Sequence, residues 1–189
     1  MRKVVYVPGY NWNEESSVLI RLLLQKDFKF YYFKFKNKFG QRKIETLAEE
    51  LKTFIDNLNL KKGEKISIIA FSVGGLISEY YLKFIDNKQV DKIITICSPF
   101  KGTPWASIFF KKRIGMRELQ ERSIFLKKLN KEKMPRTIKQ ESIWDEEDFI
   151  VPHKLAKQGK AKRTLFFLHP LIEFWPPTIL EIKKFLQSK

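Results

Sequence analysis

A chain of 189 residues and 22.6 kDa has the length of one domain, and its single cysteine, Cys97, excludes an internal disulfide framework and fits a reducing compartment. No apolar run approaches the roughly 18 residues that a membrane span needs, and Met1-Arg-Lys-Val-Val-Tyr-Val lacks the apolar core and cleavage site of a secretory leader, so a cytoplasmic globular protein is expected. Thirty-seven Lys and Arg against 21 Asp and Glu leave a net charge of +16, a field that draws in anions but carries no information about fold.

The pattern alternates strand and helix. Val4–Val7 is a β-branched run that ends at Pro8-Gly9, and Val18, Leu19, Leu22 and Leu23 follow at helical spacing. Phe28–Phe35 is aromatic with Lys29 and Lys34 on it, which suits a strand near a sheet edge. Ile44, Leu47, Leu51, Phe54, Ile55 and Leu58 form one helical stripe, stopped by Gly63. Lys65–Phe71 reads as a buried strand, Gly74–Phe84 as a helix with Leu76, Ile77, Tyr80, Tyr81 and Phe84 on one face, and Val90–Cys97 as another strand. A basic, helix-like stretch over about 104–130 follows, with room for a small helical cap within 104–135. Thr137–Trp144 and Arg163–Leu168 complete the strands, and Pro177 opens a last helix that turns Ile179, Ile182, Phe185 and Leu186 inward.

This alternation predicts a single α/β domain over 1–189, with about six mostly parallel strands covered on both faces by helices. Ligands of such sheets bind beyond the carboxyl ends of the strands. The chemistry is therefore expected just after Val7, Phe71, Cys97, Trp144 and Leu168.

After the third strand, Ala70-Phe71-Ser72-Val73-Gly74-Gly75 runs into a helix. A serine held on a tight strand-to-helix turn, with small residues where strand and helix approach, is the arrangement of a catalytic nucleophile; the plainer reading is a helix N-cap. A serine hydroxyl needs a histidine to take its proton and a carboxylate to orient that histidine. Only His153 and His169 are available. His169 follows a strand and is the better base, whereas His153 opens a helix. Of the carboxylates in Asp145-Glu-Glu-Asp148-Phe-Ile-Val-Pro152, Asp148 is preferred over Asp145. The order Ser72, Asp148, His169 fits this fold. Negative charge developing on a carbonyl oxygen would be held by the backbone N–H groups of Val73, at the helix start, and Tyr10, in the loop after the first strand.

These stretches resemble the α/β-hydrolase superfamily and, within it, the small lipases and esterases. AFSVGGLISEYYL (70–82) is similar to the lipase nucleophile turn, and KIITICSPFKGTPWA (92–106) to the lipase strand that runs into a loop with a Thr-Pro and Gly-Thr-Pro pattern. Ser123-Ile-Phe-Leu126 with Leu129, and Ser142 through Pro152, fall in lipase-like order. The resemblance spans residues 3–188 and implies an α/β-hydrolase fold, Ser72 as nucleophile, Asp148 as acid, His169 as base and Tyr10 and Val73 as oxyanion donors. The chain departs from the family in having Pro8-Gly9 where His-Gly is common, Ala70 where the turn has glycine, and Pro170 directly after the base.

The reaction expected is acyl transfer from an ester to Ser72 and then to water. Trp12, Phe100 and Trp105, with Tyr10, Phe109 and Phe110, could line an apolar acyl groove or belong to the core. Residues 105–139 hold eleven Lys and Arg against three Glu, and residues 24–43 seven against one Asp. Such runs are ordinarily solvated faces, but beside an acyl site they would attract an anionic membrane surface. A thioesterase or acyltransferase of the same mechanism is the near alternative; a non-catalytic relative that binds an anionic partner is the distant one. Nucleic acid is not expected, because no recognition motif accompanies the charge. No metal or cofactor is implied: two histidines and a cysteine stand at no ligand spacing, and there is no phosphate loop.

Overall fold

Apolar strands and amphipathic helices alternate along the chain, and the computed structural model, which describes residues 1–10, 17–35, 40–108, 112–164 and 169–188, assembles them around a parallel sheet. The strands are β1 (Arg2–Val7), β2 (Phe28–Tyr32), β3 (Ile66–Phe71), β4 (Val90–Ile96), β5 (Lys139–Asp145) and β6 (Lys160–Thr164). Their order across the sheet is β2-β1-β3-β4-β5-β6, and every neighbouring pair is parallel. The lysine-bearing strand β2 does lie at an edge. Among the described residues no helix is long and apolar enough to cross a membrane.

Period-two alternation sends side chains to two separate cores. Val5, Val7, Ile68, Ala70 and Ile93 meet helices α2 (Ile44–Asp56) and α3 (Val73–Tyr80) on one face. Val4, Tyr6, Ile69, Phe71, Ile94 and Ile96 meet α1 (Val18–Leu24) and α8 (Pro176–Gln187) on the other. Central strands such as ISIIAF are buried at every position because both faces are covered.

The helices differ from the sequence reading in instructive ways. In α1 the buried residues are Ile20 and Leu24, while Leu19, Leu22 and Leu23 are exposed. Its leucine-rich sequence supports several apolar stripes, and contact with α8 selects one. The helix after β3 ends at Tyr80 and passes into a π-helical turn, Tyr81–Ile85, which leaves Phe84 exposed. Among the described residues the basic stretch holds three short helices: α4 (Pro104–Ile108), α5 (Ile114–Glu118) and α6 (Ile124–Lys131). Met116, Leu119, Phe125, Leu126 and Leu129 from this stretch pack into the same core as Val5 and Leu47. It is thus a layer of the domain rather than a detached cap. Strand β6 starts three residues earlier than the sequence suggested, and residues 165–168 lie outside the described ones.

α2 starts without a side-chain cap of its own, since its N-cap is Lys43. Glu118 from α5 supplies one: its carboxylate accepts a 2.6 Å hydrogen bond from the Ile44 N–H. Burial outweighs that bond and pushes the Glu118 carboxyl up to about 7. Between about pH 4.5 and 7 the folded chain then holds a proton that the unfolded chain has released, so this group makes stability fall as pH rises through that window. Glu118→Gln is expected to keep the cap and remove that slope. Denaturant midpoints at pH 5 and pH 8 check it: the wild type should lose stability relative to the variant at the higher pH.

Candidate active site

β1 and β3 are neighbours although α1, β2 and α2 separate them in sequence, so the sheet changes its direction of growth between them. Open parallel sheets bind ligands outside the strand ends at such a switch point. The loops leaving these two strands carry Tyr10 and Ser72.

Ser72 stands between Phe71 and the first residue of α3 with φ 51° and ψ −123°. Only a tight turn enforces such angles on a residue with a β-carbon, at a cost of about 1–3 kcal/mol. The turn is pinned by the Ser72 N–H, which donates to the Ile96 carbonyl on β4 at 2.8 Å. Close approach is built in beneath it: a β-carbon on Gly74 would lie 2.2 Å from the Val7 carbonyl oxygen, and one on Gly75 would lie 2.1 Å from Ser98 Oγ. Ser72 is half-buried. The Val73 N–H, at the first position of α3, has no acceptor within the helix.

The loop after β1 folds directly onto this serine. A β-carbon at Gly9 would stand 3.1 Å from Ser72 Cβ, so only glycine fits there without displacement. Tyr10 follows and is half-buried, with its hydroxyl against Gly115. Trp12, expected in the acyl groove, lies outside the described residues, as do Phe109 and Phe110.

The residues expected as acid and base come together. Asp148, 3% exposed, accepts hydrogen bonds at Oδ1 from the Ile150 and Val151 N–H groups, both 2.9 Å. Its Oδ2 lies 2.5 Å from Nδ1 of His169, itself 5% exposed. A carboxylate only accepts, so Nδ1 carries the proton and Nε2 is left as the basic nitrogen. The His169 ring lies against Phe71, the residue before Ser72, at 5.1 Å between centroids. This places the imidazole beside the turn that carries Ser72. His169 opens a 3-10 turn, His169–Phe174, in keeping with the proline that follows it. That turn is anchored to β1 by a buried hydrogen bond in which the Tyr6 hydroxyl donates to Glu173.

The alternatives sit elsewhere. His153 opens α7 (His153–Ala156) and packs on Trp144, and Asp145 Oδ1 accepts from the Glu147 N–H. Phe100, offered as groove lining, is 1% exposed and belongs to the core, because the loop after β4 turns it inward over α6. Trp105 is exposed; its indole N–H donates to the Phe149 carbonyl at 2.8 Å, and the two rings meet edge on. Together with Thr103, whose hydroxyl donates to the Ile150 carbonyl, this clamps the loop that carries Asp148 from the side.

Sequence reasoning did not single out two residues that lie around these groups. Cys97 directly follows β4 with φ 45°, a second strained residue beside Ser72. Its sulfur and one ligating atom each of Asp148 and His169 lie within 4.8 Å of one another, the one such group of three among the described residues. Linear spacing could not reveal it, although the strand-end position was a signal. A thiol binds metal as thiolate, and burial, with Asp148 and Asp145 nearby, pushes the Cys97 thiol well up. The protonated thiol suits a neighbour of the Asp–His pair better than a metal ligand. Glu173, the other, carries no local signal.

Residues 38–140, more than half of the chain, match the family model described as lecithin:cholesterol acyltransferase. No curated protein matches the sequence. Among solved structures, the mature form of the lipase BlEst2 from Bacillus licheniformis superposes with a TM-score of 0.76 at 14% identity, covering 96% of this chain and 91% of that one. The lin2722 gene product from Listeria innocua gives 0.70 at 17% identity, covering 100% and 95%. Phospholipase PlaB from Legionella pneumophila gives 0.67 at 12% identity, over 77% of this chain and 39% of that one. At these identities the structural likeness establishes the fold.

Proposed function

The chain belongs to the lecithin:cholesterol acyltransferase family and is an ester-cleaving hydrolase of the lipase and esterase kind, and from that premise we propose that it cleaves lipid esters through an acyl-enzyme on Ser72. The observation that carries the mechanism is the buried Asp148–His169 hydrogen bond, set against the residue that precedes a strained serine.

In this reading His169 Nε2 takes the Ser72 hydroxyl proton as Oγ attacks the acyl carbonyl carbon. Asp148 stabilises the imidazolium through Nδ1–H, and the Val73 and Tyr10 N–H groups hold the oxyanion. Collapse breaks the bond to the leaving oxygen, which receives the proton from His169. Water then attacks the acyl-enzyme with His169 again as base, releasing the acid and regenerating Ser72. No cofactor is required.

Exposed apolar groups beside the acid loop support a lipidic acyl group: Trp105, Ile108 and Phe149 are 36%, 65% and 52% exposed. The cationic segment 105–139 supports an anionic lipid surface as the place of action. A series of p-nitrophenyl esters of increasing chain length, run beside an acyl thioester, tests the substrate class. Faster turnover of the medium or long esters is expected, and preference for the thioester would move the assignment to a thioesterase. On vesicles at low salt, activity should be higher with anionic than with neutral lipid; equal activity would remove the surface from the account.

A further inference from the structure

Between the loop after β4, α6 and α7, a groove of about 350 Å³ is lined by Lys101, Arg122, Leu126, Lys127, Asn130 and Leu155. Its walls are fixed by the fold. The Lys101 N–H donates to the Leu155 carbonyl at 3.1 Å, and the Asn130 side-chain amide donates to the Phe100 carbonyl at 2.7 Å. Ser123 caps α6 by accepting from the Leu126 N–H at 3.2 Å. The groove is amphipathic: Leu126 is buried and Leu155 half-buried, while Lys101, Arg122 and Lys127 are exposed.

Two features set it apart from an ordinary solvated basic face. First, none of the three cations takes part in an ion pair among the described residues, whereas the next lysine, Lys128, pairs with Glu45. The groove's one acid, Glu121, stands exposed. Second, Arg122 is held at φ 62°, a left-handed conformation that a residue with a β-carbon rarely adopts. Glycine would be unstrained there, yet the position carries a guanidinium, the group best matched to bidentate phosphate recognition.

We infer that this groove is a second binding site, distinct from the catalytic serine, for the phosphate of a phosphate-bearing amphiphile. Lys101, Arg122 and Lys127 would take the phosphate oxygens, and Leu126 and Leu155 the adjoining apolar part. The inference stands without the catalytic reading, because it requires no turnover.

The test is therefore made by binding, in the full chain with Ser72→Ala. Sedimentation with phosphatidylcholine vesicles, with and without phosphatidic acid, is compared for the parent, for Arg122→Gly/Lys127→Gln and for Lys61→Gln/Lys62→Gln. The last pair removes the same charge from the exposed loop before β3, at the opposite end of the strands. Arg122→Gly relieves the backbone strain, so an unchanged or raised thermal midpoint is expected. At about 1 kcal/mol for each basic residue near an anionic surface, the groove variant should bind phosphatidic acid vesicles about thirtyfold more weakly, with little change for the control pair. Calorimetry with glycerol 3-phosphate separates the sources: binding lost in the groove variant identifies a soluble phosphate monoester, and vesicle binding alone identifies a lipid headgroup. Equal losses in the groove and control variants, or no loss in either, would overturn the inference.

Discussion

Replacing Ser72 with alanine is expected to lower ester hydrolysis by about a millionfold in kcat, the scale on which loss of the nucleophile removes the whole relay. The folded state should gain slightly or hold steady. Alanine keeps the β-carbon beside Gly9, and the turn is pinned through the Ser72 backbone N–H, which the substitution leaves in place. Substrate binding should persist, since the substitution removes only Oγ. A stopped assay against p-nitrophenyl esters, with background hydrolysis subtracted, reads the effect.

The next largest effect is expected at Asp148. Asparagine has the same shape and can still accept at Oδ1 from the Ile150 and Val151 N–H groups, so the acid loop should keep its fold. Its amide, however, would present donor hydrogens to His169. Nδ1 then becomes the acceptor and the proton moves to Nε2, the nitrogen that must be free to take the Ser72 proton. Asp148→Asn is expected to cost about 10⁴ in kcat with KM little changed. Asp145→Asn provides the contrast: Asp145 bonds the Glu147 N–H rather than His169, so kcat should stay close to wild type.

The sheet was legible because its strands are continuous apolar runs punctuated by turns: VVYV, ISIIAF and the run ending at Ile96 declare themselves without reference to the rest of the chain. The strand-to-helix turn at Ser72 was legible for the same reason, since strand, serine and glycines are contiguous. Asp148 and His169 could be narrowed only by strand-end position and by the scarcity of histidines. Their pairing is a long-range fact that the geometry supplies. What stayed hidden depends on packing alone. Phe100 is an aromatic in a loop beside the site, yet the loop turns it into the core. Leu19, Leu22 and Leu23 of α1 point outward because α8 selects a different face. Cys97 meets Asp148 and His169 only once β4 and β5 lie side by side, and Glu173 finds Tyr6 across 167 residues.

Fluorophosphonate modification of the native protein, followed by mass mapping of the modified peptide, interrogates the central assignment most directly. One adduct is expected, on Ser72, absent from Ser72→Ala and formed far more slowly in Asp148→Asn and His169→Ala. An unmodified Ser72 in folded wild-type protein, or an adduct formed at the same rate without His169, would contradict it.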